Sequence, residues 1–104
     1  MNIEFFYLYR DAGNFKNFGT VVFTNKNQIS LEKLNEMIKQ KLIDEMYFDA
    51  FNASVPSLFF DDYDEELDHD WHEFECINEV ETMPTDVYAR DISTFISTLA
   101  EKPA

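Results

Sequence analysis

The spacing of apolar side chains changes period several times along this chain, and each change marks a predicted element. Residues 3–10, IEFFYLYR, favour extended backbone and are apolar on both alternating sets, Ile3, Phe5, Tyr7 and Tyr9 on one and Phe6 and Leu8 on the other. That pattern predicts a central strand covered on both faces. DAGNFKN then supplies glycine and asparagine for a turn, and FGTVVFT (18–24) brings β-branched residues. The two runs are predicted to pair as a hairpin with a longer loop.

The period then becomes helical. Ser30 can accept a backbone hydrogen bond at a helix start, and Leu31, Leu34, Ile38 and Leu42 recur at the spacing of one helix face, which predicts a helix over 31–43. MYFDAFNA (46–53) returns to strand character, and Val55-Pro56 ends it, because proline has no ladder donor. SLFF (57–60) is expected to add a short extended piece at most. WHEFECINEV (71–80) alternates, with His72, Phe74, Cys76, Asn78 and Val80 on one side and Trp71, Glu73, Glu75, Ile77 and Glu79 on the other. Asp91 reads as an N-cap for a second helix carrying Ile92, Phe95, Ile96 and Leu99 and closing near Glu101.

The order β-β-α-β-(β)-β-α predicts an α+β fold, an antiparallel sheet of four to five strands with two helices packed on one face. At 104 residues, one domain spanning 1–104 is the expectation. If both helices lie on one face, something else must cover Phe6 and Leu8. The loop over 53–70, a second copy of the chain in a homodimer, and a foreign partner are the three candidates.

Composition changes the picture mainly through charge. Residues 1–43 hold six bases against four acids, whereas 44–104 hold seventeen acids with only Arg90 and Lys102, for a net −13. No lysine or arginine lies between Leu42 and Ala89. Such a field repels phosphate backbones and anionic lipid, so neither direct nucleic-acid binding nor membrane binding is expected, and cationic ligands are drawn in. A single cysteine, Cys76, cannot pair within the chain, the N-terminus has no basic signal region, and no apolar run approaches the ~18 residues of a membrane span. A reducing, cytoplasmic location is therefore expected.

Chemistry concentrates in FFDDYDEELDHDWHEFE (59–75), which has nine carboxylates and two histidines and no base. Asp62, Asp64, Glu66, Asp70 and Glu73 fall at positions 1, 3, 5, 9 and 12 of a calcium loop, but Leu67 occupies the position where the sharp turn needs glycine. A carboxylate falls on most chosen positions in so acidic a stretch. His69, His72 and Cys76 offer three soft zinc ligands, one short of a structural site, and the competing explanation is a small buried thiol beside a hydrogen-bonded histidine. Cys76 with His72 also has the ingredients of a thiol nucleophile and its base, although nothing supplies an oxyanion hole. With only Gly13 and Gly19 there is no phosphate-cradling loop, so no cofactor is implied and a catalytic role is not expected. Arg10 and Lys16 make the main basic spot, and the simpler expectation for them, as for Arg90, is pairing with the chain's own acids.

What remains is the acidic segment as a contact surface. Asp61, Asp62, Tyr63, Asp64, Glu65, Glu66, Asp68, Asp70, Trp71 and Glu73 interleave negative charge with large rings; acids speed encounter with a basic protein and rings supply buried contact. By physical type, a short, acidic, cysteine-poor α+β chain resembles bacterial immunity proteins, antitoxins and inhibitors that mask basic enzymes. That resemblance implies a non-catalytic module for a basic protein partner; a divalent-metal-responsive domain built from the same carboxylates is the alternative, and a small enzyme the second.

Overall fold

The computed structural model describes residues 1–61, 63, 64, 69 and 71–100. It is an α+β fold in which a four-stranded, curled antiparallel sheet carries two helices: β1 (Asn2–Arg10), β2 (Lys16–Phe23), α1 (Leu31–Lys41), β3 (Tyr47–Phe48), β4 (His72–Val80) and α2 (Ile92–Thr98). The strand order is β2-β1-β4-β3. Among the described residues no helix is long and apolar enough to cross a membrane.

β1 is central, as its doubly apolar pattern requires. Ile3, Phe5 and Tyr7 face a core joined by Val21 and Phe23 of β2, Leu34 and Ile38 of α1, Phe48, Ile77, and Ile92, Phe95 and Ile96 of α2, so both helices lie on one face of the sheet. Packed rings add to the burial: Phe23 stacks on Phe95 at 4.3 Å between centroids, and Phe5 meets Phe95 edge-on at 4.8 Å.

The helix starts follow local chemistry. Ser30 Oγ accepts from the Lys33 N–H at 3.2 Å, Glu32 sits in the first turn of α1 and Lys39 and Lys41 in the last, complementing the helix dipole. α1 stops at Lys41, two residues before the expected end, because Leu42 turns extended to bury its side chain, and Asp44 and Glu45 reverse the chain at φ 52° and 58°. Asp91 caps α2 as expected and does more. One carboxylate oxygen accepts from the Ser93 N–H, and the other from the Lys26 N–H and the Thr24 hydroxyl, which ties the helix start to the end of β2. α2 ends at Thr98, and the expected end near Glu101 lies outside the described residues.

Two sequence expectations change. The strand expected over 46–53 shrinks to Tyr47–Phe48. Beyond it the Asp49 carboxylate accepts the Asn52 N–H and the Asp49 carbonyl the Ala53 N–H, so a turn takes the backbone groups that a ladder would have used. Ala50, Ala53 and Val55 are buried by that turn, not by a strand, and SLFF forms no strand either. The second change is in β4. Phe6 stands opposite Cys76 but Tyr7 stands opposite Phe74, leaving Glu75 without an opposite number in a β-bulge. The simple alternation therefore breaks: His72, Phe74 and Ile77 turn to the core, while Cys76 turns to the opposite face beside Phe6.

That opposite face carries Glu4, Phe6 and Leu8 of β1 against Val22, Thr20 and Phe18 of β2. The described part of the 53–70 loop, one of the three candidates to cover it, packs on the helix side. Tyr7 donates to the Pro56 carbonyl at 2.6 Å, Asn17 to the Leu58 carbonyl at 3.1 Å, and Leu58 fills the space above Gly19.

Candidate functional site

The acidic segment is hung on Tyr9, the last core-facing residue of β1. Tyr9 is fully buried, its hydroxyl donates to the His69 carbonyl at 2.8 Å, and its ring is surrounded by those of Phe59, Phe60, Tyr63, His69 and His72. Phe59 and Tyr63 pack on each other at 4.4 Å. At the far end the Trp71 N–H donates to His69 Nδ1 at 3.1 Å, and the Trp71 side chain is half-buried. Asp61 and Asp64 are exposed beside this aromatic shelf, with Tyr63 half-buried. Asp62, Glu65, Glu66, Asp68 and Asp70, also expected in the contact surface, lie outside the described residues.

Glu73 departs from the expectation of an outward-facing acid. It is 8% exposed, and Arg10 donates to both its oxygens, Nε to Oε2 at 2.9 Å and Nη2 to Oε1 at 3.4 Å. The Glu73 hydrogen bond, then its charge, hold the Arg10 pKa above its ordinary value. Arg10 also donates to Asn14 in the hairpin turn at 2.6 Å. Arg10 thus does the internal pairing expected of it, whereas Lys16 makes no ion pair with any described residue.

His72 and Cys76 do not form a site together. His72 is fully buried on the core face opposite Phe48, with Nε2 accepting the Leu58 N–H at 3.0 Å, so it pins the loop to the sheet. Cys76, across the bulge, is on the other face, where burial first and then the charges of Glu75 and Glu4 push its thiol up. With His72 on the other face of the sheet, Cys76 has neither a base to activate it nor that histidine as a co-ligand. Among the described residues no three histidine, cysteine or carboxylate side chains gather to hold a metal. Of the calcium-type set, Asp62, Glu66 and Asp70 lie outside the described residues, and Glu73 is engaged by Arg10.

The chain was compared with known protein families, characterised proteins and solved structures. It matches none of them. Function has to be read from the geometry.

A second feature has only a faint trace in the sequence. The connection from β4 to α2, ETMPTDVYAR, looks like plain loop, yet it walls a cleft of about 600 Å³ with Thr20, Val21, Phe51, Val55 and Pro56. Phe51, Val87 and Tyr88 line it while staying largely exposed. Its frame is Arg90, whose Nε and Nη2 grip the two Asp86 oxygens at 2.9 and 3.0 Å while Nη1 and Nη2 donate to the Ala53 and Ser54 carbonyls. The guanidinium also lies over Phe95, Tyr88 and Phe23 at 5.3 to 5.6 Å. Burial alone would raise the Asp86 pKa; the hydrogen bonds and charge of Arg90 outweigh it and hold it below the ordinary value. Ser54 and Ala89 are kept at φ 56° and 51° on either side of this clamp. The only advance sign was three apolar side chains, Met83, Val87 and Tyr88, in a proline-containing connection.

Proposed function

We propose that the chain is a small, non-catalytic binding module that engages a basic protein partner through its acidic-aromatic segment, in the manner of immunity proteins, antitoxins and inhibitors. The observation that carries this reading is the disposition of the chain's own arginines. Arg10 is committed to Glu73 and Arg90 to Asp86, while Asp61 and Asp64 stand exposed on an aromatic shelf in a stretch with no lysine or arginine from 43 to 89. Both arginines are thus engaged outside residues 61–71, Arg10 at the base of the segment and Arg90 at the cleft. Glu73 belongs to that base, so the contact surface runs from Asp61 to Trp71.

Exposed carboxylates beside half-buried rings serve two stages of association. The charges accelerate encounter with a cationic surface over a screening distance of ~8 Å at physiological salt, and Tyr63 and Trp71 supply contact that persists once water is expelled. Immobilised protein should capture a basic protein from host lysate at low salt and release it as salt rises. Asp61→Asn with Asp64→Asn should slow that association with little change in the fold. Capture that ignores salt, or is indifferent to the double substitution, would refute the reading.

A further inference from the structure

β2 forms one outer margin of the sheet, and among the described residues part of that margin is left open by the chain's own segments. Side chains and backbone groups alternate along an antiparallel strand, and the even-numbered residues of β2 aim both N–H and C=O away from β1. Val22, and Thr24 just past the strand end, find partners there. The Val22 N–H donates to Thr85 Oγ1 and its carbonyl accepts from the Thr85 N–H, and the Thr24 carbonyl accepts from the Ile92 N–H. The next three, Thr20, Phe18 and Lys16, have no backbone partner on that side among the described residues. This stretch has no proline and no bulge, and of the charged side chains that can guard an edge it has only Lys16, at its end.

We infer that two copies of the chain join through these edges, β2 against β2 in antiparallel register about Phe18, with Phe15 of each copy seated in the other's cleft. Only the register that sets Phe18 opposite Phe18 and Lys16 opposite Thr20 uses all three outward residues of both strands. It also places Phe15 of one copy opposite Val21 of the other. Phe15 is 69% exposed and Val21 lines the cleft, on the side of the sheet where odd-numbered β2 residues project. The exposed ring and the apolar cleft thus meet twice in one symmetric pairing. Where Thr85 already occupies the edge at Val22, the incoming chain has reached Asn14, which at φ 67° turns back into its own hairpin.

Charge favours a second copy at this edge. Although the chain carries −13, residues 12–31 contain no acid, only Lys16 and Lys26. Pairing here keeps the acidic halves apart. Each Lys16 moves onto the partner's outer face, where Glu4 stands on the adjoining strand opposite Val22. Phe18, 60% exposed, gains a ring neighbour across the axis.

Sedimentation equilibrium of the intact chain from ~1 µM to ~1 mM should show a monomer-dimer equilibrium. Phe15→Ala removes two cleft contacts per dimer and should weaken it by roughly a hundred-fold, with the circular dichroism of the dilute monomer unchanged because the ring is exposed. Thr20→Lys sets like charges opposite each other twice and should weaken it roughly ten-fold, and adding Lys16→Glu should restore it. A chain that stays monomeric throughout, or a dimer that ignores Phe15→Ala and the charge reversal, overturns the inference.

Discussion

Arg90 shows how one side chain can frame a surface. Its guanidinium makes four hydrogen bonds, two to a carboxylate only 2% exposed and two to loop carbonyls, and its planar face is covered by rings, an arrangement that lysine could not reproduce. Arg90→Met keeps the stem but strands Asp86, and should cost about 3–5 kcal/mol, read as a lower urea midpoint at unchanged slope. The pH dependence has a defined sign. The folded Asp86 and Asp91 pKa values lie below 3.8, so their stabilisation is complete above about pH 4 and is lost as pH falls through the folded values. The gap between wild type and Arg90→Met should therefore narrow below pH 4. His72 is a second such residue. His72→Phe keeps a ring beside Tyr7, Tyr9 and Phe59 but leaves the Leu58 N–H without its acceptor, at about 1–3 kcal/mol. Faster amide exchange at Leu58 would report it. Tyr7 belongs to the same cluster: burial pushes its hydroxyl pKa up to about 12, consistent with a hydroxyl that stays protonated and donates to Pro56.

Among the elements, β2 and the loop after β3 hold each other in place at Gly19. A Cβ there would lie 2.9 Å from Leu58 Cδ2 and 3.4 Å from the Tyr7 ring, so the absent side chain is the room into which Leu58 packs. Gly19→Val should therefore be destabilising by about 1–3 kcal/mol through overpacking, although valine suits a strand better than glycine does. The penalty should be smaller in a Leu58→Ala background, and a double-mutant cycle measures the coupling. The bulge at Glu75 has a wider consequence. By absorbing one residue it puts Phe74 and Ile77 on the same face and Cys76 on the other, which sets the composition of both faces of the sheet.

For the whole molecule the governing quantity is uneven charge. Seventeen acids in 44–104 repel one another in the folded state, while the pairs that matter for the fold, Arg10 with Glu73 and Arg90 with Asp86, are partly or largely buried and poorly screened. Added sodium chloride should thus raise the melting temperature, by roughly 4–8 °C for each kcal/mol of repulsion relieved. A fall would mean that exposed pairs such as Lys33 with Glu36 contribute more than the repulsion does. The same imbalance shapes association. The proposed contact of the acidic segment with a cationic partner and the proposed β2–β2 pairing should respond oppositely to salt: the first weakened, the second strengthened by screening of the acidic halves.

The sequence by itself determined the features with local causes: the two capped helices, the β1–β2 hairpin, β4, and the charge asymmetry. Ser30, Asp91 and the spacing of Leu34 with Ile38 act within a few residues of their own position, and such signals survive whatever the rest of the chain does. Tertiary structure alone decided what depends on residues far apart. MYFDAFNA has the composition of a strand, but only Tyr47–Phe48 find partners on β4, and Asp49 turns the remainder away. Glu75 alternates faultlessly with its neighbours until β1 sets the register and leaves it out. Whether Glu73 faced solvent or Arg10, 63 residues away, was likewise a matter of which strands came to lie side by side. Period and capping are properties of a short stretch of backbone; register, pairing and exposed edges are properties of contacts made only after the chain has closed its long loops.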